Sequence, residues 1–420
     1  MARLPESLDV LRTREFRLLF SGQAVSVLGD RMAVVALAFA VLEIGGSASD
    51  VGLVLSAGAF PLVATVLAGG VVADRASRRA VMVVADLVRV VSQGTMAVLL
   101  IAGVAEVWML ALVAGVTGAA TGFFSPASTG LLPEVVLAEH LQPANGLRAS
   151  AVSTGEILGP VVGGVLVAAA GAGWAIAIDA VTFAVSAACL AMLRVPTRGA
   201  VQRSSFVADL REGWVAFRSR RWVWTFVLYF AMGNLLWGTW SALGPIVAER
   251  DLGGAGAWGA ILAAVGVGAL AGSLLAAQVK PSRPLLFAAL ADGLFALPLA
   301  FLAAAAPVPL IACGAALSGA GIALAISVWE STLQRHVPGE SLSRVSSYDW
   351  FGSLAFYPLG LAVWGPVAAA IGVSVSLWLA FGLAVVLTLA LISVPDIRHL
   401  PAAPPPATAA MGSPVESPTP

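Results

Sequence analysis

The sequence predicts an all-α membrane protein of about twelve transmembrane helices in two six-helix bundles, and three observations carry that expectation. Of its 420 residues, 59% are apolar and only 11% charged, with a mean hydropathy of +0.93. A soluble chain of this length would cover its cores with charged surface, whereas most stretches here offer no polar face, so the solvent they imply is lipid. Apolar runs recur at the length of about 20 residues that crosses about 30 Å of hydrocarbon. The basic residues, finally, gather on one side of those runs.

The spans read as residues 18–43, 51–73, 81–103, 107–130, 147–170, 173–193, 222–248, 256–279, 284–305, 308–332, 346–370 and 373–394. They are continuously apolar and rich in Ala, Leu and Gly, which fits helices; barrel strands would alternate over much shorter segments. Of the 23 Lys and Arg, 20 fall in one alternate set of loops and termini and only Arg250 in the other, with Arg31 and Arg89 inside spans. Positive charge stays cytoplasmic, so both termini are expected in the cytoplasm of a multi-pass protein of the cell (inner or plasma) membrane. The first span is too long for a signal-peptide core and lacks a small-residue cleavage site, so it is expected to stay uncleaved.

Segment 194–221 holds seven arginines and is the one long polar interruption. It divides a cytoplasmic N-terminal segment (1–17) and a first bundle (18–193) from a second bundle (222–394), followed by a Pro- and Ala-rich tail (395–420) expected to be disordered. Within the linker, 207–219 has the spacing of a short amphipathic helix on the lipid surface, with Val207, Leu210, Trp214 and Phe217 on one side. The halves show weak internal similarity: Ser128-Thr129-Gly130-Leu131-Leu132-Pro133 follows the fourth span, and Ser331-Thr332 through Val337-Pro338 follows the tenth.

Several functions are argued against. The basic residues sit in short loops beside helix ends at zero net charge, which makes them topology determinants and not a nucleic-acid surface. Cys189 and Cys313 lie alone in apolar runs, and His140, His336 and His399 fall in loop segments, so no metal, haem or other cofactor is implied. Lys280 is followed by Pro281 and cannot complete a phosphate-binding loop, and no nucleophile and base are paired as an enzyme would need. What remains is a carrier for a small molecule, expected to act as a monomer in the bilayer.

The loop after the second span reads Gly69-Gly70-Val71-Val72-Ala73-Asp74-Arg75-Ala76-Ser77-Arg78-Arg79. Its acid and bases meet the cytoplasm where two spans end, as an ion-pair latch would. Here the chain resembles the major facilitator superfamily, whose signature in this loop is a Gly, an Asp-Arg pair and further arginines. The resemblance runs from Phe16 to the last span and is strongest to bacterial drug and siderophore exporters of the macrolide-efflux and enterobactin-exporter type, through Gly29-Asp30 and Gly46-Ser47-Ala48. It implies the major facilitator fold, alternating access, and a latch formed by Gly70, Asp74, Arg75, Arg78 and Arg79. Asp86 and Arg89, three apart in the third span, are expected to neutralise each other and anchor it. In the second half Gly272-Ser273 to Arg283 occupies the corresponding place without the Asp-Arg pair.

Gly155, Gly159, Pro160, Gly163 and Gly164 in the fifth span resemble the superfamily's antiporter motif, which implies export driven by inward proton flow. Pro160 removes a helix hydrogen bond and the glycines admit a neighbouring backbone, so the segment can bend or seal one end of a cavity; a well-packed kinked helix is the plainer reading. One proton moved through ~150 mV releases about 3.5 kcal/mol, enough for a few-hundredfold gradient.

Charges inside spans cost about 2.5 to 3.5 kcal/mol each and therefore mark function. Asp30 lies one heptad after Gln23, on the same face, and is either a proton carrier or a static partner of Arg31 or another base. Glu156, Asp179 and Asp292 are further candidates for protonation or for a cationic substrate. Gln23, Asp30, Arg31, Asn234 and Trp237 are expected to line the substrate cavity, while Trp222, Trp224 and Trp258 look interfacial. Glu330 and Asp349 are expected to pair with arginines across the bundles. The functional expectation is a secondary active transporter for proton-coupled efflux of a small amphipathic molecule; the alternative is an importer or facilitator on the same scaffold.

Overall fold

A computed structural model describes residues 10–402 except 138–139, 196–213, 216 and 277. The first half comprises α1 (Arg14–Glu43), α2 (Ala48–Arg75), α3 (Arg78–Ile101), α4 (Val107–Val135), α5 (Leu141–Ala170) and α6 (Ala172–Ala191). The second half comprises α7 (Arg221–Val247), α8 (Ala255–Ala276), α9 (Pro284–Asp292), α10 (Leu297–Ala303), α11 (Val308–His336), α12 (Gly339–Leu354), α13 (Tyr357–Ile371), α14 (Val373–Ser393) and the short α15 (Pro395–His399). A 3₁₀ turn at Gly293–Ala296 joins α9 to α10 into the ninth span, and α12 with α13 forms the eleventh. Among the described residues twelve helical segments are thus long and apolar enough to cross a membrane.

Helix starts follow local chemistry. Ser47 and Asp50 form a reciprocal capping box ahead of α2, and the Ser77 hydroxyl accepts from Ala80 N–H at the start of α3. The halves repeat each other in their turns. Gly171 (φ 89°, ψ 161°) makes the single-residue turn between α5 and α6, and Gly372 (φ 91°, ψ 151°) makes the same turn between α13 and α14. Both backbones have positive φ, which glycine adopts at no steric cost.

Within the first half α2 packs on α4, α3 on α6, and α1 on both α5 and α6; in the second, α8 packs on α11 and α7 on α13. The halves meet through α5 with α8 and α2 with α13. These meetings depend on missing side chains. A Cβ on Gly52 would strike the Leu361 carbonyl, one on Gly365 the Ala48 backbone, one on Gly164 the Ala255 carbonyl, and one on Gly259 the Pro160 carbonyl. All of these approaches lie in the half of the spans farther from the chain termini, so the bundles are joined at that end.

Three expectations change. The ordered chain continues beyond the twelfth span into α15, where Ile397 is fully buried against the second bundle, so disorder does not begin at 395; the remainder of the tail lies outside the described residues. In the linker Phe217 is buried against protein, whereas Trp214 keeps 47% of its surface; the two rings stack and both contact Tyr348 of α12 at centroid distances of 5.6 to 5.8 Å. The rest of the predicted amphipathic helix lies outside the described residues. Trp258 is not interfacial but 2% exposed, tilted against Trp240 at 4.8 Å in the core that joins the halves.

Candidate functional site

The third helix carries a polar stripe through an apolar span. Asp86, Arg89 and Gln93 stand three and four residues apart, which places them on one helix face, and all three are buried. That face meets α1 and α6. The Arg89 guanidinium pairs with Asp86 on its own helix, lies 3.9 Å from Asp30 on α1, and is sandwiched between the rings of Phe124 and Phe183, each centroid 4.2 Å away. The two rings and two carboxylates replace the water that the cation has lost.

Asp179 of α6 completes the group. Its carboxylate accepts from Gln93 Nε2 at 2.9 Å and from the Thr182 hydroxyl at 3.2 Å. The Gly29-Asp30 pair has a physical reason here: a Cβ at Gly29 would collide with Asp179 and Thr182, so glycine lets α6 bring its carboxylate against α1. Three carboxylates therefore surround one arginine. Asp86 and Asp179 are sealed, whereas the Asp30 side chain keeps 43% of its surface.

Asp30 spends that exposure on two adjoining cavities. The smaller, about 290 Å³, lies within the first bundle toward the termini and is also lined by Gln23, Arg89 and Arg148. There Ser128 receives hydrogen bonds from Gln23 Nε2 at 2.6 Å and Arg148 Nη2 at 2.9 Å. The larger, about 520 Å³, runs between the halves past Arg31, Gln93, Trp240 and Tyr357. Arg31 does not pair with Asp30; its Nη2 meets Glu156 Oε1 of α5 at 3.1 Å, with both side chains well exposed.

A third cavity of about 510 Å³ lies inside the second bundle, again toward the termini. Asn234 and Trp237 line it, with Asn234 donating to the Phe230 carbonyl at 3.0 Å and Trp237 stacked on Trp240 at 5.5 Å. Asp292, Glu330 and Asp349 line it as well. Asp349 is not paired with an arginine across the bundles: its carboxylate accepts from Trp329 Nε1 at 2.9 Å and Ser353 at 3.4 Å, both within its own half.

The loop after α2 acts within the first bundle. Arg78 reaches the Gly130 carbonyl and, at 3.1 Å, Glu134 near the end of α4, and Arg79 reaches the carbonyls of Leu190 and Ala191 at the end of α6. Arg79 thus meets carbonyls of the last turn of α6, at the negative helix end. The side chains of Asp74 and Arg75 lie outside what the structure describes. It is Gly69, against the Gly122 carbonyl, that makes the close helix contact, while nothing approaches within 4 Å of a Cβ at Gly70. Asp86 and Arg89 pair with each other in the bundle interior beside Asp30.

The fifth-span glycines divide between two neighbours. Gly155, Gly159 and Gly163, spaced by four, admit Val27, Arg31 and Met32 of α1, whereas Gly164 and the Pro160 carbonyl abut α8 of the other half. α5 therefore packs on α1 within its own half and on α8 across the halves. Arg148, Gln93 and the two rings around Arg89 were not singled out from the sequence, and Ser128 only as part of a repeated segment; the spacing of Asp86, Arg89 and Gln93 was the available signal, while Phe124 and Phe183 carried none.

A twelve-span helical protein of two joined halves with charged groups in its interior defines a membrane carrier. Residues 19–355 match the family model described as Major Facilitator Superfamily, and the chain belongs to that superfamily. It is a multi-pass membrane transporter. Among curated relatives it is 29% identical over 392 residues to the multidrug efflux pump Tap of Mycolicibacterium fortuitum, covering 89% of this chain and 93% of the relative. It is 25% identical over 236 residues to macrolide efflux protein A of Streptococcus pyogenes, covering 56% and 58%. Among solved structures the D323A mutant of the nucleoside transporter NupG superposes with a TM-score of 0.75 at 13% identity, covering 91% of this chain and 99% of that one. A bacterial homologue of the lysosomal transporter Spinster, inward-facing and unoccupied, superposes with a TM-score of 0.69 at 14% identity over 92% and 96%. At those identities the two structures speak for the fold.

Proposed function

We propose that this protein exports a small amphipathic molecule from the cytoplasm across the cell membrane, in exchange for protons, by alternating access of a site between its two halves. The observation that carries the reading is the position of Asp30: a half-exposed carboxylate on the wall of two cavities, 3.9 Å from a buried arginine that a second carboxylate also claims. A proton arriving on Asp30 weakens its hold on Arg89 and leaves the arginine to Asp86; a proton leaving restores the tie between α1 and α3. That exchange is the step by which proton occupancy biases one arrangement of the bundle over another.

The resemblance to proteins named as drug efflux pumps supports the direction, and the biased arginines support both termini in the cytoplasm. With the halves joined at the end far from the termini, the two cavities that lie toward the termini then face the cytoplasm, as an exporter requires when it loads. Glu156, Asp179 and Asp292 remain further candidates for the coupling carboxylate, and the monomer is the working unit of this reading.

The test is proton exchange in inverted vesicles containing the protein, followed with a pH-gradient dye while macrolides, cationic dyes and siderophores are added. Dye recovery with one compound identifies an exported cargo. A folded, inserted protein that dissipates no gradient with any of them overturns proton-coupled export, and accumulation of a solute in right-side-out vesicles would favour the importer.

A further inference from the structure

The cavity inside the second bundle differs in chemistry from the rest of the molecule. Its wall contains Asp292, Glu330 and Asp349 and, among the residues whose side chains are described, not one Lys, Arg or His. Among the described residues none of the three lies within ion-pair distance of a base. Asp292 is the deepest at 6% exposed, with the Tyr229 hydroxyl as its polar neighbour. Around these acids stand Phe230, Trp237, Phe295, Trp329 and Trp350. Trp329 is fixed in orientation by its hydrogen bond to Asp349 and by stacking on Phe226 at 4.6 Å.

A second, independent feature marks the same spot. The ninth span loses its α-helical bonding directly after Asp292, in the 3₁₀ turn Gly293–Ala296, and Phe295 of that turn lines the cavity. Irregular backbone at membrane depth is tolerated where it is enclosed by protein or lines a cavity, and interrupted helices build the ligand sites of transporters. α11 closes on the break through Gly321, where a Cβ would collide with the Ala291 carbonyl. The cavity volume of about 510 Å³ falls within the range of sites that enclose a drug-sized ligand.

We infer that this cavity is a binding site for an organic cation with aromatic or other flat apolar groups, and that Asp292 is its charge partner. A carboxylate without a cation is costly in such a setting, and a cationic ligand supplies what the protein omits. The aromatic walls attract the same ligand twice, through apolar burial and through the negative faces of their rings. An anion of identical shape meets three acids and, among the described side chains, no base. The inference specifies the substrate class for the export reading above and rests on that reading only for the direction of movement.

The experiment is equilibrium binding of radiolabelled tetraphenylphosphonium to the full chain in lipid nanodiscs, with tetraphenylborate as the anion of matching shape. The cation should bind saturably and resist competition by the borate. Asp292→Asn should weaken tetraphenylphosphonium about 30-fold, as loss of one partner in a buried charge pair implies, and Asp292→Glu should recover part of it; melting of each variant in the same discs establishes that it is folded. Equal affinity of wild type and a folded Asp292→Asn, or equal binding of cation and borate, overturns the site. If the cation binds through Asp292 while vesicles exchange no protons, the site stands and proton-coupled export falls. If vesicles export a macrolide and Asp292→Asn leaves tetraphenylphosphonium binding unchanged, export stands and the site falls.

Discussion

The two halves share a fold and a turn geometry but treat charge in opposite ways. In the first half three acids stand beside a base: Asp86 and Asp30 share Arg89, and Glu156 has Arg31. In the second half Asp292, Glu330 and Asp349 line a cavity in whose wall no base stands among the described side chains. A matched cluster can rearrange internally without a ligand, which suits energy coupling, whereas an unmatched one is completed from outside, which suits cargo. The comparison suggests that duplication supplied two similar bundles and that charge placement divided the labour between them.

The sharpest break of that comparison would come from Asp30→Asn. If the first half couples and the second binds, this variant should lose proton-driven export entirely in the vesicle assay and still fold and insert. Retained proton exchange at the wild-type rate would remove Asp30 from the coupling step and move attention to Asp179 or Asp292.

Next in size is a difference in stability. Asp86→Asn leaves Arg89 buried with only the more distant Asp30 and Asp179 as countercharges, and breaking a buried pair by removing one partner costs about 3–5 kcal/mol. Asp292→Asn removes a charge that no base among the described side chains balances, so it should leave stability unchanged or raise it. Thermal unfolding of both variants in one lipid system checks the pair. Equal destabilisation would mean that the second-half acids are matched after all and would erase the contrast on which the division of labour rests.

The fold was legible in the sequence because hydrophobic length and arginine bias act over whole spans, so errors of a few residues do not matter. Of the candidate site, Asp30, Gln23, Asn234 and Trp237 were legible because each is a polar or aromatic group in the body of an apolar helix and now lines a cavity. Their partners were not. Asp30 meets Arg89 and not its neighbour Arg31 because adjacent helical residues point about 100° apart, and only the packing of α1 and α3 on the same helix, α6, decides which distant residue fills the gap. The role of Asp349 was obscured for a related reason: proximity to a span end in the sequence says nothing of Trp329, twenty residues away, which takes up its carboxylate.

The smallest effect concerns the ion pair that faces the cavity between the halves. Arg31 and Glu156 stand 3.1 Å apart, but their side chains keep 43% and 37% of their surface, so water screens both. Exposed pairs contribute about 0–1 kcal/mol. Glu156→Gln should therefore shift thermal unfolding scarcely at all, which separates this pair from the Arg89 cluster although both join α1 to another helix of the same bundle. Transport supplies the finer reading. α5 also carries the glycine contacts that join the halves, and Gly266 of α8 abuts the Glu156 backbone. A charge tie at that level matters to the moving structure even where it adds little to the resting one. If Glu156→Gln slows proton exchange several-fold at unchanged melting temperature, the pair belongs to the conformational cycle, and the first half contains a second coupling element on α5. If rate and melting temperature both stay at wild-type values, Glu156 is a solvated side chain of the cavity wall, and coupling is confined to the cluster around Arg89.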